Sequence, residues 1–150
     1  MFSADVIRVS INALTEFVQR QLAELRDGNR EEAYQSLMET EDPTIVPLLI
    51  TEFWPDTDAA FRGHLLMVIA KFRLPDNLSF FAERLFDEYW RTALDYLVAQ
   101  GSPEALAVLE RGRERRFDTE REANEFREWL NEAITQAKEG SREWADGRYI

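Results

Sequence analysis

The sequence predicts an all-α fold of stacked helical hairpins, from three observations. The stretch Ala93 to Arg111, ALDYLVAQGSPEALAVLER, is a complete helix, tight turn and second helix. Leu94, Leu97 and Val98 fall at helical spacing, Gly101 is a stop, and Ser102 with Pro103 supplies a hydroxyl N-cap followed by a residue with no amide hydrogen to lose. Apolar residues also recur at fixed offsets from three turn prolines, Pro43, Pro75 and Pro103. Nine before each stand Tyr34, Leu66 and Leu94; six before, Leu37, Ile69 and Leu97; three after, Val46, Leu78 and Leu106; five after, Leu48, Phe80 and Val108; six after, Leu49, Phe81 and Leu109. The proline spacings of 32 and 28 residues lie in the window where self-similarity marks a solenoid.

This pattern resembles the HEAT family of armadillo-type helical repeats over about residues 30–116, most closely in the third unit. The resemblance implies a right-handed α-solenoid whose second helices line a concave face, and it implies no chemistry. One HEAT-like domain is expected over 1–150, with an N-terminal capping helix at 1–28, three hairpins over 29–116, a C-terminal capping helix at 117–140 and a tail at 141–150.

Taken in order, Ser3 caps a helix running to about Arg26, on which Ile7, Ile11, Leu14, Val18, Leu22 and Leu25 recur at spacings of three and four. Asp27-Gly28-Asn29 breaks it, and Asn29 with Glu32 has the form of a capping box for a helix from Arg30 to about Thr40. Asp42-Pro43 opens its partner, which carries Ile45, Val46, Leu48, Leu49 and Phe53 and tolerates Pro47 near its first turn. Trp54-Pro55-Asp56 ends it, and Asp56 or Asp58 caps the next helix. There HLLMVIAKF is apolar almost all round, as in a hairpin covered on both sides. Pro75-Asp76-Asn77 turns into Leu78, Phe80, Phe81, Leu85 and Phe86, an aromatic core helix for which Asp76 is a candidate N-cap. Beyond the third hairpin, Arg111, Arg113, Arg115 and Arg116 form the one basic cluster, read as cations complementing a helix end. Thr119 and Glu122 make a capping box for a last helix with Ala123, Phe126, Trp129, Leu130, Ala133, Ile134 and Ala137 on one stripe and Gly140 as its stop.

The absence of cysteine excludes disulfides and thiolate chemistry and fits a reducing, cytoplasmic setting. No signal peptide is expected from MFSADVIRVS, and the longest apolar run, Leu65 to Ala70, is far short of the roughly 20 residues that span a bilayer. No membrane contact is expected. The net charge is −11, and residues 31–60 hold eight acids without a lysine or arginine. Such a field repels phosphate backbones, so nucleic acid is not an expected partner, and it attracts basic proteins. The same acidity also serves solubility alone, and both readings stand.

Catalytic patterns fail on spacing. His64 is the only histidine, so there is no paired-histidine zinc site, and Phe61 stands where the glutamate of an E-x-x-H di-iron motif belongs. The phosphate, dinucleotide and nucleophile-elbow motifs are missing too. Glu122, Glu125, Glu128 and Glu132 form a carboxylate row that reads as a solvated face, with Arg121 and Arg127 interleaved. No catalytic residue, metal or cofactor is assigned.

Recognition remains. With the core at offsets three and six from each proline, offsets one, four and eight face away: Thr44, Pro47 and Thr51; Asp76, Ser79 and Glu83; Glu104, Ala107 and Arg111. In a HEAT-like stack these form a groove with acidic walls at Asp76, Glu83 and Glu104, to which Thr51 and Arg111 contribute. Trp54, Tyr89 and Trp90 near hairpin ends are either core or interface anchors. The expected function is a non-catalytic protein-binding module that captures or neutralises a basic protein, a bacterial toxin-immunity protein being one concrete case. A self-assembling scaffold subunit and a phycobilin-lyase-like HEAT protein acting on a chromophore are the alternatives.

Overall fold

The computed structural model describes residues 4–53 and 58–145, with side chains described from 13 to 140 within those spans. Those residues form eight α-helices and no strand. The helices are α1 (Ala4–Asp27), α2 (Arg30–Glu39), α3 (Val46–Glu52), α4 (Ala59–Lys71), α5 (Leu78–Arg84), α6 (Trp90–Gln100), α7 (Pro103–Arg111) and α8 (Glu120–Ala145). Short 3-10 turns at Pro43–Ile45, Pro75–Asn77 and Gly112–Glu114 join some of them. They gather into two compact units, residues 1–72 and 73–150, so the boundary falls inside the second expected hairpin, after α4.

In the first unit α1 runs for about 36 Å at 1.5 Å per residue and packs along α2. Val18, Leu22 and Leu25 of its stripe are buried and Leu14 is half-buried, while Ser3 and the side chains of Ile7 and Ile11 lie outside the described residues. Asn29 caps α2 through its own side chain. Its Oδ1 accepts from the Glu32 amide at 3.2 Å and its Nδ2 donates to the Glu32 carboxylate at 3.0 Å. The Asn29 backbone N–H, which a capping box assigns to Glu32, goes instead to the Glu24 carboxylate at 3.0 Å. Both α2 and α3 pack on α4. Asp58 caps α4, accepting from the Phe61 amide at 2.8 Å; Trp54, Pro55 and Asp56 lie outside the described residues. At the far end of α4, the Lys71 ammonium donates to the Met38 and Thr40 carbonyls where α2 runs out of intrahelical partners.

In the second unit, α5 packs on α6, and α6, α7 and α8 pack on one another. Two residues before the proline the chain turns left-handed, at Arg73 (φ 50°) and again at Gly101 (φ 59°). Only glycine enters that region without a steric cost, and Gly101 is the expected stop. Ser102 caps α7 through the Ala105 amide at 3.1 Å, and Thr119 caps α8 through the Glu122 amide at 3.2 Å. Tyr96 donates its hydroxyl to the Leu74 carbonyl, and its ring stacks on Phe81 at 3.9 Å. Gly112 is buried where a Cβ would stand 3.1 Å from Leu85 and 3.2 Å from Leu130, so a side chain there requires both leucines to shift by a few tenths of an ångström.

Four expectations change. Gly140 does not stop α8, which continues to Ala145. Among the described glycines only Gly101 has the positive φ that a glycine stop uses, and Ser141 to Ala145 contain no glycine or proline to break the helix. Asp76 is not a cap: the α5 N-cap is Asn77, with no side-chain cap bond, and Asp76 is exposed. Offset two joins the buried face, with Ile45, Asn77 and Ala105 all buried, while offsets three and five are mixed: Val46, Phe80 and Val108 are buried as expected and Leu48, Leu78 and Leu106 are half-buried. Offset six (Leu49, Phe81, Leu109) is buried as expected. Finally, Met67, Phe86 and Trp129, expected in the core, are 46%, 47% and 45% exposed.

Candidate functional site

The added burial at offset two leaves the outward residues of the second helices unchanged. With offsets two and six inside, a helix of 3.6 residues per turn directs offsets one, four and eight to solvent. Thr44, Pro47 and Thr51 on the Pro43 turn and α3 are exposed. So are Asp76, Ser79 and Glu83 on the Pro75 turn and α5, and Glu104, Ala107 and Arg111 on α7.

Their immediate chemistry differs. The Thr51 hydroxyl is spent on the Pro47 carbonyl at 2.9 Å, and Thr44 donates its hydroxyl to Asp42 at 2.7 Å and its amide at 2.9 Å. Those two bonds hold the Asp42 carboxyl below its ordinary value, the hydroxyl contributing most. Glu83 pairs with Arg84 at 3.2 Å, so part of its charge is answered within the chain. Asp76 projects near Tyr96, whose phenol is pushed up to about 12, first by burial and then by the Asp76 charge. Glu104 sits in the first turn of α7, where a carboxylate complements the exposed amides of the helix.

Glu104 also lines a cleft of about 320 Å3 within the second unit, together with Pro75, Leu78, Gln100 and Ser102. Gln100 is held there by donating Nε2 to the Arg73 carbonyl at 2.7 Å, and Ser102 by its cap bond. The structure thus brings Glu104 together with the Pro75 turn that carries Asp76.

A second cavity of about 370 Å3 is lined by Glu88, Trp90, Arg91, Arg115, Phe117, Glu122 and Glu125. Here cations and rings answer one another. Arg91 stacks over Trp90 at 4.2 Å and pairs with Glu125, and Arg115 lies over Phe117 at 4.3 Å. Arg115 also donates one nitrogen to the Leu85 and Asp87 carbonyls, at 2.8 and 2.9 Å. Burial lowers its guanidinium from the ordinary value, against the charges of Asp87 and Glu122.

The basic cluster therefore divides. Arg115 ties the end of α5, Arg113 bonds Glu110 and Asn131 at 3.0 Å each, and Arg111 and Arg116 are exposed. Of the aromatic anchors, Trp90 is only 7% exposed, with its ring edge-on to Phe126 at 5.2 Å; it is a core side chain. Trp54 lies outside the described residues, and Tyr89 is half-buried. Among the described residues the exposed aromatics are instead Phe86 and Trp129, and no sequence signal marked them, because both lie on apolar stripes whose edges only packing defines. His64 directs Nδ1 to the Ala60 carbonyl at 2.7 Å and stands edge-on to Tyr34 at 5.0 Å. Among the described residues no group of three or more histidine or acidic side chains gathers to hold a metal, and no helix is long and apolar enough to cross a membrane.

Comparison with protein-family models, curated proteins and solved structures returned no match.

Proposed function

We propose that the chain is a non-catalytic protein-binding module of HEAT-like hairpins, stacked right-handedly as such repeats are, that captures a basic protein in the cytoplasm. The observation that carries this reading lies in the second unit, where all six side chains at offsets one, four and eight from Pro75 and Pro103 are exposed and the acids Asp76, Glu83 and Glu104 stand among them. Supporting it are the left-handed residue two before Pro75 and Pro103 and the buried residue two after all three prolines. A binder that neutralises a basic toxin is one case of this class.

The test is affinity capture from native lysate at two salt concentrations. It compares wild type, Asp76→Lys/Glu83→Lys/Glu104→Lys, and a control that reverses Glu120, Glu128 and Glu139 on α8. The control avoids Glu122 and Glu125, which stand beside Arg115 and Arg91. Basic proteins retained by wild type and the control should be lost by the first variant. They should also be lost between 0.01 M and 0.1 M salt, as the Debye length falls from about 30 Å to about 10 Å. Equal retention by both variants would overturn the reading. A second reading, self-assembly, is favoured by the half-exposed Met67, Phe86 and Trp129. It requires a mass that rises with concentration in light scattering.

A further inference from the structure

We infer that the cleft between the Pro75 turn and the α6–α7 turn is a socket for an apolar side chain next to an arginine or lysine on the protein partner. The inference rests on the proposed capture of a basic protein and adds how that partner is gripped. Pro75 and Leu78 supply apolar walls, and Leu78, at a position expected in the core, is left half-buried beside the cleft. Two polar side chains of the lining are tethered to backbone, Gln100 by donating Nε2 to the Arg73 carbonyl and Ser102 by accepting at Oγ from the Ala105 amide. The exposed lining is mostly apolar surface. What it offers is apolar surface edged by charge. Glu104 is the one charged side chain in the described lining, and Asp76 is exposed next to Pro75.

Size and charge select the occupant. About 320 Å3 is the space of about ten waters at roughly 30 Å3 each, enough for one or two side chains and too small for a helix. An apolar group entering removes apolar wall from water, and a cation beside it meets Glu104 and Asp76 at the rim. An apolar–acidic segment would fill the same walls but bring like charges together, so the pair of carboxylates sets the sign of the partner. An aliphatic anchor beside an arginine satisfies both halves of the site.

The experiment is amide chemical-shift mapping of the isotopically labelled full chain with three probes: acetyl-leucyl-arginine amide, acetyl-leucyl-glutamate amide and acetyl-glycyl-arginine amide. The first should move the amides of Asp76, Leu78, Gln100, Ser102 and Glu104. The other two should bind about tenfold more weakly, one for its charge and one for its missing side chain. Glu104→Lys, an exposed change that leaves the core untouched, should reverse the preference between the two leucyl probes. Silent cleft amides, or equal affinity for the leucyl-arginine and leucyl-glutamate probes, would overturn the socket even where lysate capture through Asp76, Glu83 and Glu104 succeeds. Cleft shifts that grow with protein concentration in the absence of any probe would overturn it in favour of a second copy of the chain. Selective leucyl-arginine binding supports it even where lysate capture fails, so the two readings fall separately.

Discussion

Replacing Arg115 by alanine should be the most damaging single change outside the apolar core. Its guanidinium makes two hydrogen bonds of ordinary length, 2.8 and 2.9 Å, to the Leu85 and Asp87 carbonyls, which follow the last turn of α5 and have no helical amide to accept from. Bonds from a charged donor are worth about 1.5 to 3 kcal/mol each when buried. Arg115 is half-buried, and water can replace part of what the alanine variant loses, so the lower end applies. Stacking over Phe117 at 4.3 Å and Phe126 at 5.3 Å adds about 0.5 to 1 kcal/mol. The expected loss is about 3 to 4 kcal/mol. Arg115→Lys keeps the charge but not the planar fork and should recover less than half. The assay is urea unfolding followed by tryptophan fluorescence, with Trp90 packed on Phe126 as the reporter in the same unit. The midpoint should fall at unchanged slope. Arg116→Ala, a change at an exposed neighbour, should stay within about 0.5 kcal/mol. A loss below about 1 kcal/mol for Arg115→Ala, or equal losses for the two arginines, would refute the reasoning.

Three further outcomes are expected. Ile69→Ala and Leu97→Ala, each at a fully buried leucine or isoleucine, should cost about 2 to 5 kcal/mol, and losses below about 1 kcal/mol in thermal melts would show the register to be wrong. Asn77 is buried and its Nδ2 has no partner, whereas the same offset holds Ile45 and Ala105 in the other hairpins. Asn77→Ala should therefore leave stability unchanged or raise it, since a stranded buried donor costs about 1 to 3 kcal/mol, and a clear loss in urea titration would refute this. Burial raises the Asp87 carboxyl above its ordinary 3.8, against the lowering effects of the Tyr89 amide, Arg84 and Arg115. The folded state then holds that proton more tightly than the unfolded chain, so the stabilisation is present below pH 3.8 and is lost as pH rises through the folded value. Wild type should lose stability relative to Asp87→Asn as pH rises from about 3 to about 7, and the opposite slope would show that the ion pair with Arg84 outweighs burial.

What the sequence by itself determined is most of what is written in hydrogen bonds between near neighbours, the Asp76 cap and the Asn29 amide's bond to Glu24 excepted. The caps at Asn29, Asp58, Ser102 and Thr119, the three proline turns and the left-handed Gly101 are settled within a few residues, because each satisfies helix-end amides or a backbone angle locally. The outward row was legible for the same reason, since helical period alone puts Asp76, Glu83 and Glu104 away from Phe81 and Leu109. Tertiary packing decided the rest. Offset two joins the core although isoleucine, asparagine and alanine share no hydropathy there, because which edge of a stripe is covered depends on the neighbouring helix. Trp90 goes in while Trp129 stays out on that account, although both lie on apolar stripes. Arg115 was unreadable among its neighbouring arginines, since its partners at Leu85 and Asp87 are backbone carbonyls, which every residue carries and no sequence marks. The cleft that brings Glu104 to the Pro75 turn exists for the same physical reason: its walls come from two segments more than twenty residues apart, joined only when α5 packs on α6.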